Sequence, residues 1–267
     1  VELPTYSMGV GDRFGHQGRA QLDAIRRARE SGREVCPVWN KSHREHELTG
    51  TEPGSVRREA DEAVREMGWD GPYFVDADHV GLDTVDAFVD CSDYFTIDVA
   101  DFIGQQAPAE DIDAFVQQYG DYAGTLEVPG LDRDLEVSRD DIRTIAARYL
   151  LAVREAGKVY RHIEGMLGAG EFVTELSMDE TDAPQTPVEM FFILAGVADE
   201  GIPAQAIAPR FSGSFNKGVD YEGDVEQFRA EFEADVCVLA HAANEFGLPE
   251  NLKLSIHSGS DKFSIYG

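Results

Sequence analysis

The sequence predicts an α/β protein, a (β/α)8 TIM barrel of which about seven β/α units are visible. Short apolar runs alternate with longer segments of helical periodicity, which is the pattern of β/α units. Seven of these runs lead directly into polar residues, as barrel strands do at their carboxyl ends. A length of 267 residues suits one barrel domain. We therefore expect a single domain over residues 1–267, with the eighth unit missing or supplied by another segment.

The first four units follow from the spacing of apolar residues. His43 and His46 lie between the second predicted strand and the second predicted helix, and we expect them in a solvated loop. The predicted strands are residues 6–10, 34–39, a segment beginning at 73–75, and 94–99. The predicted helices are residues 18–31, 55–67 and 84–89.

The alternation breaks at residues 104–140, which are acidic and contain one short predicted helix at 110–119 and a turn-rich stretch at 128–134. A segment of this length between elements is typical of a lid or an insertion. A long helix follows at residues 140–167, with Ser138 and Asp141 spaced as a capping pair.

The last three units return to the regular pattern. Thr186, Pro187 and Glu189 combine an N-cap, a proline at the first helical position and a glutamate three residues after the cap, so a helix begins there and runs to about residue 200. The remaining predicted strands are residues 172–176, 206–209 and 252–256, and the remaining helix is 225–246.

Charge excludes several classes of function. The chain has 23 basic and 51 acidic residues, a formal net charge of −28, which disfavours nucleic acids and anionic membranes as partners. Cys36, Cys91 and Cys237 are odd in number and widely spaced, which indicates free thiols in a cytoplasmic protein. The acidic, lysine-poor composition suggests a halophilic host.

Polar residues gather at the predicted strand ends, where a barrel holds its active site. Three of the five lysines, Lys41, Lys217 and Lys262, lie there, which favours a negatively charged substrate over chance salt bridges. The candidate substrate-binding residues at these ends are Arg13, His16, Asn40, Lys41, Arg210, Ser258, Gly259 and Asp261.

A divalent metal site is a second interpretation of the same ends. Asp76, Asp78 and His79 follow one strand, while Glu175 and His257 follow two others, and imidazole with carboxylate suits Mn²⁺, Zn²⁺ or a similar ion. A hydrogen-bonding role for the histidines is the alternative.

Two glycine-containing stretches, 212–214 and 258–260, could offer backbone N–H groups to an anion or could be tight turns. Gly9, Gly11 and Gly15 follow a strand, but their spacing is not that of a dinucleotide loop, and the second strand ends in Asn40 rather than an acid. A nucleophile elbow of the form GxSxG is absent from the sequence.

Long blocks of the sequence resemble the tagaturonate/fructuronate epimerase family. They are GDRFGHQG (11–18), PVWNKSHREHELTGTEP (37–53), YFVDADHV (73–80), FTIDVADFIG (95–104), ELSMDETDAPQTPVE (175–189), APRFSGSFNKGVDYEGD (208–224) and LKLSIHSGSDKFSIY (252–266). The resemblance implies a metal-dependent barrel enzyme that interconverts two ketohexuronates.

Roles for the candidate residues follow from this resemblance. His79, Glu175 and His257 are the expected metal ligands, with Asp78 or Asp98 in reserve. Glu175 or Asp98 would move a hydroxyl proton, and Lys217 or Lys262 would stabilise oxyanion charge. Because the inverted carbon is β to the ketone, its C–H is not acidified and simple enolisation cannot reach it. Two routes remain, retro-aldol cleavage with re-addition and transient oxidation by a nicotinamide, and the lack of a sound dinucleotide fingerprint favours the retro-aldol route.

Two other classes remain open. One is a related metal-dependent aldolase or ketose isomerase acting on sugar acids, and the other is a catalytically silent sugar-acid-binding protein. In each case the expected partner is a small sugar acid, with assembly into a homo-oligomer also possible.

Overall fold

A computed structural model describes residues 1–266, within which there are nine strands and seven α-helices. The strands are β1 Ser7–Val10, β2 Cys36–Ser42, β3 Phe74–Val80, β4 Tyr94–Asp98, β5 Gly124–Leu126, β6 Leu135–Val137, β7 Val173–Met178, β8 Ala206–Pro209 and β9 Lys253–Leu254. The helices are α1 Gly18–Glu30, α2 His43–Thr49, α3 Gly54–Met67, α4 Ala109–Tyr119, α5 Arg139–Leu167, α6 Pro187–Asp199 and α7 Val225–Phe246.

Seven of the strands described in residues 1–266 belong to one sheet, in the order β1-β2-β3-β4-β7-β8-β9. The pairs β1–β2, β2–β3, β3–β4 and β8–β9 are parallel, and β5 with β6 forms a separate antiparallel hairpin. The predicted α/β class with seven sheet strands is therefore confirmed. Closure into a full barrel stays a prediction.

The chain divides into two compact units. Unit 1 comprises Val1–Asp98 and Lys158–Glu175, and unit 2 comprises Val99–Gly157 and Leu176–Gly267. The boundary falls within β7, so unit 1 holds the start of this strand and unit 2 holds its end. The prediction of a single domain stays a prediction.

In unit 1, helices α1 and α3 cover one face of β2 and β3. Leu22 of α1, Ala60 of α3 and Trp39 of β2 are completely buried together in one apolar cluster with Val75. Burial of large apolar side chains contributes about 1.5–3 kcal/mol each, so this cluster fixes which faces of the two strands point away from the helices. The alternation of side chains then decides which polar residues lie on the opposite face.

The stretch around His46 corrects the sequence-based expectation. Residues 43–49 form α2 rather than a loop, because the side chain of Ser42 caps the helix by accepting a hydrogen bond from the backbone N–H of Glu45. His46 is 3% exposed, packs against Phe88 and is not solvated. β2 also continues to Ser42, so Asn40 and Lys41 lie within the strand instead of beyond its end.

In unit 2, the predicted start of α6 is confirmed in detail. The Thr186 side chain accepts from the backbone N–H of Glu189, and the Glu189 carboxylate accepts from the backbone N–H of Thr186. The helix is apolar on all sides, as expected of a helix surrounded by protein. It packs along α7, where Phe191 contacts Phe246 and stacks on His241.

The segment predicted as a lid or insertion, residues 104–140, contains α4 and the β5–β6 hairpin. Tyr119 and Tyr122 attach it to the α6–α7 pair through ring contacts with Phe192 and Phe246. The Ser138 and Asp141 capping pair before α5 is confirmed by reciprocal hydrogen bonds of 3.0 and 2.8 Å.

Two further expectations concern the whole chain. Cys36, Cys91 and Cys237 are free thiols, and burial raises the pKa of the Cys36 thiol to about 12. Of the helices described in residues 1–266, none combines the length and apolar composition needed to span a membrane.

Candidate active site

In unit 1, β3 ends in a distorted segment that carries Asp78 and His79. The β3–β4 register shifts between Ala77 and Val80, and His79 has a φ of 55°. A positive φ is uncommon for a residue other than glycine, and such conformations cluster at functional sites. The imidazole Nδ1 lies 2.8 Å from Asp78 Oδ1, and both side chains are about one fifth exposed, at 23% and 22%. Asp78 and His79, both candidate ligands at this strand end, therefore contact each other, and metal binding by either stays a prediction.

Below this pair, toward the start of the strands, unit 1 buries a polar layer. Asp76 accepts from the backbone N–H and the hydroxyl of Thr96, and the Tyr94 hydroxyl donates to Glu175 Oε2. Burial, and after it the charges of Asp78 and Glu175, raise the pKa of Asp76 well above its usual range. Burial and the Glu175 charge also raise the pKa of Tyr94.

The predicted ligand and base Glu175 belongs to this layer. Its side chain is 3% exposed and is held by Tyr94. On β7 the residues that share its face are Ser177 and then Asp179, which lie progressively closer to the strand end. Asp179 therefore lies at the end of β7, which is where the sequence-based prediction placed Glu175. Direct contact of Glu175 with a metal or substrate stays a prediction.

In unit 2, Asp179 and His257 form a pair at the ends of β7 and β9. The Ser177 hydroxyl donates to Asp179 Oδ1 at 2.6 Å, and Asp179 Oδ2 lies 3.2 Å from His257 Nδ1. The side chains of Asp179 and His257 are 23% and 20% exposed. Asp179 Oδ1 is thus held by the Ser177 hydroxyl, while Asp179 Oδ2 lies close to His257 Nδ1.

These two converging atoms fit a divalent metal. Atoms that bind one ion at about 2.1 Å lie roughly 3 Å apart, close to the 3.2 Å between Asp179 Oδ2 and His257 Nδ1. Imidazole nitrogen with carboxylate oxygen is a donor set suited to Zn²⁺ or Mn²⁺. The prediction named His257 but missed Asp179, for which the alternation along β7 was the available signal.

A cavity of about 260 Å³ opens beside this pair. Its lining includes Asp179, Arg210, Ser214, Asn216 and His257. The Arg210 guanidinium donates from Nη1 to the Asp179 carbonyl at 3.3 Å, and within the described residues it has no carboxylate partner. In a protein of net charge −28, a half-buried guanidinium without such a partner is available to an external anion.

The buried lysines are differently placed. Lys41 Nζ lies 2.7–2.9 Å from Arg13 O, Thr49 Oγ1 and Thr51 Oγ1, and burial lowers its pKa. Lys262 is 0% exposed, and its Nζ lies 2.9–3.2 Å from Asn216 O and from both oxygens of Ser260. Each ammonium group thus already has three protein acceptors, and contact of either lysine with substrate stays a prediction.

Lys217 and Gly259 lie together in unit 2. Gly259 has a φ of 67°, and a Cβ at this position would stand 3.0 Å from Lys217 Cγ and 3.2 Å from Phe215 O. The glycine therefore allows the two loops after β8 and β9 to touch. The Gly218 N–H donates to Ser260 Oγ across the same contact at 2.9 Å.

The loop after β1 is stabilised from within. The Asp12 carboxylate accepts backbone N–H bonds of 2.8–3.0 Å from Phe14, His16 and Gln17. Partial burial opposes the effect of these donors, but together they lower the pKa of Asp12. These N–H groups, which lie just before α1, thus already bind a carboxylate of the protein. The absence of a dinucleotide-type phosphate site stays a prediction.

The other predicted substrate-binding residues are spread over both units. In unit 1, Arg13 and His16 are exposed on the β1 loop, and Arg13 lies 3.7 Å from Glu45, while Asn40 packs against Gly11. In unit 2, Asp261 accepts from the Tyr266 hydroxyl, and Ser258 is half-buried after β9. Asp98 is half-buried at the end of β4 in unit 1.

Parallel strands that end in a carboxylate and an imidazole, beside an arginine in a polar cavity, are typical of the active sites of α/β enzymes. Comparison with known proteins agrees with this class. Residues 1–267 match the family described as tagaturonate epimerase, UxaE. The chain belongs to this tagaturonate epimerase family, and the predicted resemblance is confirmed.

Individual relatives give the same result. The chain is 30% identical over 275 residues to a tagaturonate/fructuronate epimerase of Thermotoga maritima, covering 97% of this chain and 53% of that protein. A glycerol complex of the fructuronate-tagaturonate epimerase of Cohnella laeviribosi matches with a TM-score of 0.78 and 27% identity over 98% of this chain and 53% of its own. The chain thus spans about half the length of these relatives.

A more distant structure shares the fold alone. A probable tagatose 6-phosphate kinase of Sinorhizobium meliloti matches with a TM-score of 0.51 at 12% identity, over 96% of this chain and 59% of its own.

Proposed function

We propose that this protein interconverts tagaturonate and fructuronate. The observation that carries the proposal is Arg210, which lies in the polar cavity without a carboxylate partner among the described residues, next to the Asp179–His257 pair. Family membership and the printed names of the two relatives support the same substrates. A ketohexuronate brings one carboxylate, which Arg210 would bind, and a ketone with neighbouring hydroxyls.

A divalent ion such as Mn²⁺ or Zn²⁺ is part of the proposal. Asp179 and His257 would hold it in unit 2, while a ligand role for His79 on β3 of unit 1 stays a prediction. Asp78 would orient His79 through the contact with Nδ1. The bound ion would act as a Lewis acid that polarises the substrate ketone.

The chain's own groups would carry the proton transfers. In the retro-aldol direction, a carboxylate such as Asp98 takes the proton of the hydroxyl on the carbon to be inverted. The bond from this carbon to the α-carbon breaks, its electron pair stays on the ketone fragment as an enediolate, and the other fragment becomes an aldehyde. Rotation of the aldehyde and re-formation of the bond return the proton and give the epimer. The Lys217 ammonium group would stabilise the negative charge that develops on the substrate.

Conversion of fructuronate by the metal-loaded protein, followed by NMR, tests the reaction. We expect tagaturonate to accumulate to an equilibrium mixture. Free aldehyde products would indicate an aldolase instead, and binding of metal and sugar acid with no conversion would indicate a silent binder.

A pair of arginine variants tests the anion site. Arg210→Met should weaken binding of either uronate by roughly 10- to 100-fold, because one charge-assisted bidentate contact contributes about 1.5–3 kcal/mol. Arg143→Met, which removes an exposed arginine paired with Asp113, is the matched control and should bind normally. Equal affinities of the two variants would refute the role of Arg210.

A further inference from the structure

Gln185 is a buried amide in unit 2 that is not among the candidate site residues predicted from the sequence. It is 6% exposed and lies in the loop between β7 and α6. Its Oε1 accepts from the backbone N–H of Arg210 at 2.7 Å, and its Nε2 donates to Met178 O at 3.1 Å and to Thr181 Oγ1 at 3.2 Å. One side chain thus joins the end of β7 to the residue that follows β8.

We propose that Gln185 is a positioning residue that aims Arg210 into the cavity and thereby makes the site selective for sugar acids over neutral sugars. The proposal rests on the proposed function, since it assigns the selectivity of the same site. Gln185 does not line the cavity itself. Its effect on a ligand must therefore pass through the residues it holds.

Arg210 is fixed at two points by one loop. Gln185 fixes its backbone nitrogen, and the carbonyl of Asp179 accepts from its Nη1 at 3.3 Å. Met178, whose carbonyl Gln185 also binds, directly precedes Asp179. The amide therefore holds both the main chain of Arg210 and the strand end against which its guanidinium rests.

The pattern of donors explains why a glutamine is required. The group must accept from an N–H on one side and donate to a carbonyl on the other, which neither a carboxylate nor a thioether does. Without it, the Arg210 N–H and the Met178 carbonyl lose a partner in a buried place, and the main chain of both residues is free to shift toward water. A shift of about 1 Å in a bidentate contact is enough to weaken it strongly.

Selectivity distinguishes this role from general structural support. An anionic sugar uses the Arg210 contact, whereas an uncharged ketohexose of the same size does not. Displacement of Arg210 therefore weakens binding of the acid and leaves binding of the neutral sugar unchanged, whereas a loosened fold weakens binding of both.

The experiment measures dissociation constants of tagaturonate and of an uncharged ketohexose for the metal-loaded protein by calorimetry. Gln185→Met should weaken binding of tagaturonate about tenfold, as expected for the net contribution of one or two hydrogen bonds. The neutral sugar should bind within a factor of about two of wild type. Gln185→Glu keeps the acceptor for the Arg210 N–H and should therefore lose less acid affinity than Gln185→Met.

Gln205 provides the matched control. It is also buried, at 8% exposed, but it precedes β8 at the opposite end of the strand, where its Oε1 accepts from Asn251. Gln205→Met should lower stability to a similar extent and leave the ratio of the two affinities unchanged.

Three results with the variants overturn the proposal. The first is that Gln185→Met loses equal affinity for the acid and for the neutral sugar. The second is that Gln205→Met loses as much selectivity as Gln185→Met, and the third is that Gln185→Glu loses as much acid affinity as Gln185→Met. Because binding is measured without turnover, a wild type that binds tagaturonate and does not epimerise it refutes the proposed reaction alone. A wild type that does not bind the acid overturns the Gln185 proposal as well.

Discussion

Asp235 on α7 gives the sharpest prediction for stability. Its side chain is 4% exposed, and within the described residues no donor reaches its carboxylate. Burial, with a further contribution from the charge of Glu231, raises its pKa from 3.8 to about 7. The folded state thus holds a proton on Asp235 that the unfolded chain releases near pH 4.

The sign of the pH dependence follows from this difference. Between pH 4 and pH 7 the folded state binds more protons than the unfolded state, so the free energy of unfolding falls as pH rises and is constant above pH 7. A difference of about three pKa units corresponds to roughly 4 kcal/mol. Asp235→Asn removes this dependence, and the variant should be more stable than wild type at pH 8 by about 2–4 kcal/mol.

Guanidinium denaturation of both proteins at a series of pH values from 4 to 8 measures the effect, since subtraction cancels the contribution of the other acids. Glu233→Gln, an exposed change of the same charge on the same helix, is the control and should leave the pH dependence as in wild type. An Asp235→Asn protein with the wild-type slope, or with lower stability at pH 8, would refute the reasoning.

Three further predictions concern other parts of the fold. Thr186→Ala removes the capping box of α6 and should lower the free energy of unfolding by about 1 kcal/mol, measured in denaturant, where an unchanged midpoint would contradict it. Burial lowers the pKa of His46 to about 4, so neutral His46 contributes up to about 3 kcal/mol to the free energy of unfolding above pH 6.5, and this contribution is lost as pH falls toward 4. His46→Gln should therefore make the free energy of unfolding less dependent on pH between 6.5 and 4. Lys262→Met should speed hydrogen exchange at the Gly218 amide, which is bonded to Ser260, and an unchanged rate would show that Lys262 does not hold these loops.

Local signals predicted much of the fold. The α6 start was legible because a threonine cap, a proline and a glutamate stand at fixed spacing, and all of their interactions are between residues close in sequence. The missed helix α2 had such a signal, Ser42 followed by Glu45, but its polar sequence hid it. His46 is the residue of α2 that packs against Phe88, and a buried histidine does not stand out in a hydrophobicity pattern.

The site was predicted less completely because its contacts are distant in sequence. Strand ends indicated Arg210 and His257, because the direction of a strand places its end, and both residues line the cavity of unit 2. Whether a lysine faces substrate or protein depends on carbonyls elsewhere in the chain, as Lys262 and Asn216 illustrate. Gln185 carries no charge and no motif, so its link to the Arg210 backbone could be found only in the structure.

The internal carboxylate of the β1 loop has a consequence for anion binding. Asp12 already accepts hydrogen bonds from the N–H groups of Phe14, His16 and Gln17, so an external phosphate would have to displace a carboxylate of the protein in order to bind them.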